Sequence, residues 1–279
     1  MQLISDSGST KTDWCITNDG RIVRRIITQG INPFHQSGQT IYDVLNGELL
    51  PELADVKVDE VYFYGSGCRE ECVPMMTDVL SCAFSHASTI EVHSDLLGAA
   101  RAVCGMGEGI ACILGTGANS RLYDGRDIVM NTPPLGYILG DEGSGAVLGR
   151  LFVNALYKNQ LPESVLSDFE RETGCGMADV IHRVYREPMA NRFLASFAPF
   201  IHSHLYVPSV RLIVVDNFRM FFRRNVVQYG RPKLPVGAVG SIAGHFYDEF
   251  VEAAIDEGFT VGRTSSSPMS GLVEYHSCN

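Results

Sequence analysis

Residues 6–12 read Asp6-Ser7-Gly8-Ser9-Thr10-Lys11-Thr12, a run of Gly, Ser and Thr just behind the apolar pair Leu3-Ile4. A tight turn of this composition points backbone N–H groups inward, and such a concavity can take a phosphate. Thr hydroxyls would add hydrogen bonds, Lys11 would neutralise phosphate charge, and Asp6 at the strand end could hold Mg²⁺ directly or through water. An ordinary hairpin with polar turn residues would read the same way. No Gly-x-x-x-x-Gly-Lys-Ser/Thr string occurs anywhere, so this is not a Walker A loop. A second turn, Gly115-Thr116-Gly117-Ala118-Asn119-Ser120, follows the apolar run 109–114 and obeys the same logic. Two such turns could grip a triphosphate from both sides.

Three further places carry chemistry. In His93-Ser94-Asp95-Leu96, the carboxylate of Asp95 ends a strand and opens a helix. It reads as an N-cap, as a general base that accepts a hydroxyl proton during phosphoryl transfer, or as both. In Gly140-Asp141-Glu142-Gly143, adjacent carboxylates among glycines suit either gripping of sugar hydroxyls or helix capping. Val239-Gly240-Ser241-Ile242-Ala243 is a strand–glycine–helix turn that could seat an adenine or ribose.

The elements that position these residues alternate between strand and helix. Strands are expected at 14–17, from 21, at 60–64, 89–92 and 109–114, and helices at 40–53 and 70–83. A helical region, 142–205, is divided by Pro162, Pro188, Pro199 and Pro208, and a last short helix is expected at 269–275. Both halves read apolar strand, Gly/Thr/Ser turn, strand, Asp-Gly-Arg hairpin, strand. The triplets are Asp19-Gly20-Arg21 and Asp124-Gly125-Arg126, which suggests an internal duplication. The boundary between halves is expected inside the helix 95–104. The domains expected are 1–104 with the first phosphate turn and sugar-side residues, 105–265 with the second phosphate and adenosine segments, and a helix in 266–279 returning to the first.

Composition narrows the partners. The 279 residues are 45% hydrophobic and 19% charged, with a formal net charge of −10, so a sizeable core is available. An acidic surface disfavours nucleic acid and anionic membrane. The eight cysteines form no Cys-x-x-Cys pair and read as reduced thiols of a cytoplasmic protein, and no signal peptide or membrane span is visible. His202 and His204 read as surface residues rather than half a metal site. In the run 218–224, Phe218, Phe221 and Phe222 are expected inside and the interleaved arginines outside.

In this order the five motifs resemble the two-lobed sugar kinases and ATPases with a duplicated ribonuclease-H-like (actin-like ATPase) α/β fold and an interlobe cleft. Residues 6–12 look like their first phosphate segment, 115–120 the second and 239–243 the adenosine segment. Pro268-Met269-Ser270-Gly271-Leu272 looks like the start of their second connecting helix. The chain is most similar to the N-acetylglucosamine kinase branch of the BadF/BadG/BcrA/BcrD-type ATPase family. The stretches that carry this are 115–122, Gly140-Asp141-Glu142-Gly143-Ser144 and Gly30-Ile31-Asn32-Pro33-Phe34. Tyr137 stands where that branch commonly has Trp, and Ser9 where many relatives have Gly.

The resemblance implies ATP-dependent phosphorylation of an amino sugar, most simply N-acetylglucosamine to its 6-phosphate, with ATP and Mg²⁺ and a homodimeric state. Asp95 would be the base and Asp6 the metal ligand. Asp6, Gly8, Ser9, Thr10, Lys11, Gly115, Thr116, Gly240 and Ser241 would serve the nucleotide, and Asn32, Gly117, Asn119 and Asp141 the sugar. Glucosamine kinase and a non-catalytic sugar sensor are alternatives. So is the ATPase activator of a 2-hydroxyacyl-CoA dehydratase, for which Cys112 lies three residues ahead of the turn rather than just before it.

Overall fold

The computed structural model describes residues 1–8 and 10–278 and divides into two compact units. The first comprises Met1–Gly107, Gly125–Asp127 and the segment from Ser267 onward; the second comprises Glu108–Asp124 and Ile128–Ser266.

The first unit is built on a sheet of β1 (Gln2–Ser7), β2 (Lys11–Asn18), β3 (Arg21–Gln29), β4 (Glu60–Gly65) and β5 (Thr89–Ser94), in the order β3-β2-β1-β4-β5. The first three strands are antiparallel; β1, β4 and β5 run parallel. Alternation sets the two faces. Leu3, Trp14, Ile16, Val61 and Phe63 pack beneath α1 (Gly38–Val44) and α2 (Val73–Ala83). Ile4, Cys15 and Tyr64 point the other way, against α3 (Asp95–Cys104) and the last helix, α13 (Met269–Ser277). The expected helix 40–53 is regular only to Val44. It then widens over Leu45–Leu49 and tightens over Leu50–Leu53, where Pro51 lacks the N–H that an α-helix would use.

The second unit repeats the plan. Its strands are β6 (Gly109–Leu114), β7 (Ala118–Tyr123), β8 (Ile128–Thr132), β9 (Pro235–Val239) and β10 (Thr260–Ser265), ordered β8-β7-β6-β9-β10. That is the order of the first sheet, element for element, so the architecture is a duplicated, ribonuclease-H-like, two-lobed α/β fold. Its helices are α4 (Gly136–Leu139), α5 (Gly145–Tyr157), α6 (Glu163–Thr173), α7 (Met177–Arg186), α8 (Ala190–Ala195), α9 (Ala198–Ser203), α10 (Pro208–Phe221), α11 (Ser241–His245) and α12 (Tyr247–Asp256).

Prolines mark helix starts here. Pro162 precedes α6, while Pro199 and Pro208 lie in the first turns of α9 and α10, where the missing N–H costs nothing. Phe218, Phe221 and Phe222 are fully buried, and Arg219, Arg223 and Arg224 leave the helix toward Asp256, Glu257 and Glu142. His204 corrects the surface reading: it is buried, its ring stacked on Phe200 at 4.0 Å and its Nδ1 2.9 Å from the Phe200 carbonyl. His202 is exposed.

Candidate active-site groups

In the first unit the parallel strands β1, β4 and β5 end side by side, and this edge gathers the chemistry, as the ends of parallel strands commonly do. The turn after β1 is closed by the Gly8 N–H donating to the Lys11 carbonyl at 3.0 Å, and Lys11 is exposed. Ser9 lies outside the described residues. The Thr10 carbonyl accepts the Gly30 N–H at 3.1 Å. Thr12 is turned inward: its hydroxyl is 2.6 Å from that of Ser7, and both accept the Ile31 N–H, at 3.2 and 3.1 Å. Thr12 therefore braces the turn and is not offered to a ligand.

Asp6 pairs in register with Asp13 on β2 and Tyr64 on β4. Burial, and then the charges of Asp95 and Asp13, push its carboxyl up to about 6, against the pull of Lys11 and Arg25. Asp13 is itself engaged by Arg25, whose Nε lies 3.1 Å away.

Asp95 is the first residue of α3, and the cap is its neighbour: Ser94 Oγ accepts the Leu97 N–H at 3.3 Å. Asp95 Oδ1 accepts the Leu96 N–H at 2.8 Å. Of the two roles open to Asp95, capping thus falls to Ser94.

Asn32 sits beyond β3, its Oδ1 accepting the Phe34 N–H at 3.1 Å. It is wedged against a loop that sequence reasoning missed, Gly65-Ser66-Gly67-Cys68, at the end of β4. A Cβ on Gly67, whose φ is +77°, would fall 2.0 Å from Asn32 Oδ1, so any larger residue there would be strained and would displace the Asn32 amide. The Ser66 N–H donates to the Ser7 carbonyl at 2.8 Å, and the Ser66 hydroxyl is buried without a hydrogen-bond partner. A Gly-Ser-Gly string closing an apolar strand was the available signal.

In the second unit the turn is shorter than expected. Ala118 already pairs with Leu114, so Asn119 belongs to β7, where its Oδ1 accepts the Ser120 N–H at 2.9 Å. The turn proper, Gly115-Thr116-Gly117, is closed by Gly115 N–H to Gly117 carbonyl at 3.0 Å. Its Gly115 and Thr116 carbonyls receive the Gly145 and Ala146 N–H groups of α5 at 2.8 and 3.2 Å.

Asp141, with φ +54°, brings its carboxylate to the turn: a Cβ on Gly117 would lie 3.2 Å from Asp141 Oδ2. Burial raises the Asp141 pKa; hydrogen bonds from the Ala118 and Gly136 backbone oppose that, and Glu142 adds to it. Glu142 is not a second sugar-gripping carboxylate. It is buried against Arg224 Nη1 at 2.9 Å and Asn225 Nδ2 at 3.2 Å, and Ser144 caps α5.

Gly240, at φ +124°, turns the chain from β9 into α11. A Cβ there would come within 2.2 Å of the Leu114 carbonyl oxygen. This close approach sets Ser241 and Ile242 beside Gly115 and Thr116 on one cavity of about 470 Å³. Arg192, Ser196, Pro199 and His202, from α8, α9 and their junction, also line it; of these the sequence had marked only His202 for chemistry, and for a metal rather than a nucleotide. A larger apolar groove of about 720 Å³ along α5 and α7 contains none of the candidate residues. Among the described residues no three His, Cys, Asp or Glu side chains gather into a ready metal site. Cys112 is fully buried in β6.

No protein-family model matches the chain, and no curated protein does. Among solved structures, a protein of Porphyromonas gingivalis provisionally named N-acetylglucosamine kinase is 50% identical, over 100% of this chain and 99% of its own, with a TM-score of 0.93. A Chromobacterium violaceum protein of the same provisional name is 17% identical over 98% of each chain, with a TM-score of 0.71. A ROK family glucokinase of Streptomyces griseus, solved with glucose and AMPPNP, is 14% identical over 98% of this chain and 97% of its own, with a TM-score of 0.58. The last two likenesses speak for the fold; the first, at half identity from end to end, speaks for kinship. The chain belongs to the N-acetylglucosamine kinase family of two-lobed, actin-like sugar kinases.

Proposed function

We propose that the chain transfers the γ-phosphoryl group of ATP to a hydroxyl of an amino sugar, with N-acetylglucosamine to N-acetylglucosamine 6-phosphate as the preferred reaction. The observation that carries the chemistry is the pair Asp6 and Asp95 in one acidic corner of the first unit, Asp6 near the end of β1 and Asp95 just past the end of β5. The half-identical Porphyromonas gingivalis protein supports the choice of sugar.

In this reading the sugar oxygen attacks the γ-phosphorus, the bond to ADP breaks, and Asp95 takes the hydroxyl proton and orients its oxygen. The Gly8–Lys11 turn and the Gly115–Gly117 turn receive the phosphates, and Lys11 offsets their charge. Gly240, Ser241 and the cavity wall beside them seat the adenosine. Asn32, Gly117, Asn119 and Asp141 hold the sugar; Asp141, carrying two backbone hydrogen bonds, is rigid enough to select hydroxyl positions.

A Mg²⁺ ion would suit Asp6. Its carboxylate is crowded by the negative charges of Asp95 and Asp13, which a cation would relieve, and ATP phosphates would complete the coordination. Bound there, the ion would neutralise charge on the β- and γ-phosphates. The free thiols of all eight cysteines suit a reducing, cytoplasmic setting. No helix among the described residues is long and apolar enough to cross a membrane.

A coupled ADP-release assay across a panel of hexoses and amino sugars tests this. The highest kcat/KM is expected on N-acetylglucosamine; binding of N-acetylglucosamine without ADP release would support a sugar sensor instead.

A further inference from the structure

A buried titratable cluster that the proposed chemistry leaves unused surrounds Tyr64, which is fully buried. The Tyr64 hydroxyl accepts a hydrogen bond from Arg101 Nη1 at 2.8 Å and lies 2.9 Å from His276 Nε2. A guanidinium only donates, which leaves the Tyr64 hydroxyl proton to be given to His276. In that arrangement Nε2 of His276 accepts, and the proton of the neutral ring is on Nδ1. That ring is held in turn by Tyr62, stacked on it with centroids 3.7 Å apart.

The other side of Tyr64 bears on α3. A Cβ added at Gly98 would fall 2.9 Å from Tyr64 Cδ1, so the helix backbone rests directly on the phenol ring. Gly98 lies three residues after Asp95 and Arg101 three after Gly98, and residues at this spacing share a helix face. The face that carries Asp95 is thus seated on Tyr64, by its backbone at Gly98 and by its side chain at Arg101. Across the sheet, Tyr64 is the register partner of Asp6. The last helix closes the arrangement: a Cβ at Gly271 would come within 2.2 Å of the Ala102 carbonyl oxygen, fixing α13 against α3.

We infer that Tyr64, locked by Arg101 and by His276 of the last helix, is a positioning residue that sets where Asp95 stands relative to Asp6. The inference rests on Asp95 being the general base. It gives α13 a part in turnover although none of its residues need touch substrate. Displacing a catalytic group by as little as 1 Å can cost about 100-fold in rate.

A double-mutant cycle in kcat tests it. Tyr64→Phe keeps the ring beneath Gly98 and removes only the hydroxyl. Its kcat should fall about tenfold with KM for both substrates little changed. Added to Asp95→Asn it should cost nothing more, because no base remains to be positioned. An unchanged kcat in Tyr64→Phe, or a loss that multiplies in full with that of Asp95→Asn, overturns the inference. Near-normal turnover in Asp95→Asn overturns the base assignment itself, whatever Tyr64→Phe does. Should Tyr64→Phe fail to fold, His276 decides. The amide oxygen of His276→Gln can still accept the Tyr64 proton and should preserve turnover, whereas His276→Leu should show the tenfold loss. Equal kcat in two folded His276 variants contradicts the proposal.

Discussion

Asp6 at the end of β1 feels the charge of Asp95 at the start of α3: burial and that neighbouring carboxylate together lift the Asp6 carboxyl to about 6. In the proposed reading these two carboxylates divide into a cation holder, Asp6, and a base, Asp95. Asp95→Asn should keep the fold and most sugar and ATP affinity while turnover falls by about 10²–10⁴-fold, the usual contribution of a positioned base. Asp6→Asn should instead weaken use of Mg-ATP, with partial rescue by added Mg²⁺. Steady-state kinetics over a Mg²⁺ series separates the two; near-normal turnover in Asp95→Asn alongside abolished turnover in Asp141→Asn would exchange their roles.

Gly240 is held at φ +124° with the Leu114 carbonyl oxygen where a Cβ would go. Gly240→Ala should therefore destabilise the second unit by about 2 kcal/mol or more and open the turn beside Ser241. Thermal melting with and without ATP reads both effects: a lower Tm and a smaller ATP-induced rise are expected.

The parts of the site legible in sequence were those that punctuate strands. Gly8, Gly115 and Gly240 could be found because glycine-rich turns interrupt apolar runs. The buried Phe218, Phe221 and Phe222 followed from helical spacing. What escaped depended on pairing and packing that residue type alone does not announce. Ala118 and Asn119 have weak strand preference and are strand residues only because they pair with Leu114 and Ile113. Strand β10, Thr-Val-Gly-Arg-Thr-Ser, lacks an apolar alternation, and its register with β9 shifts between Val261 and Thr264. Arg192 and His202 reach the cavity through the packing of two short helices, which no spacing rule foretells. Glu142 looked like the equal of Asp141 until Arg224, 82 residues on, claimed it.

His276 should make stability pH-dependent. Burial, then the positive charge of Arg101 and the neighbouring His93, lower it from 6.5 to about 4, against the opposing pull of Glu91. The folded chain holds the ring neutral while the unfolded chain lets it charge. Its contribution is thus complete above about 6.5 and is lost as pH falls toward about 4. Denaturant midpoints measured across that window should fall with pH in the parent protein, and less steeply in His276→Gln. Parallel slopes would show that the ring titrates elsewhere.

Arg192 lines the same cavity as the Gly115-Thr116 turn. Arg192→Ala should raise KM for ATP by about tenfold with little change in kcat, the signature of a lost charge-assisted contact to a phosphate made equally before and during transfer. Sugar KM should not move.

The most direct measurement is the product itself. Purified protein, ATP, Mg²⁺ and N-acetylglucosamine are incubated, and the sugar is examined by phosphorus-31 and proton NMR, with Asp95→Asn as the control. A single phosphoryl group on the 6-oxygen, formed one for one with ADP and nearly absent in the control, is expected. N-acetylglucosamine left unphosphorylated, or ADP formed at the same rate with and without it, would contradict N-acetylglucosamine as the acceptor at this site.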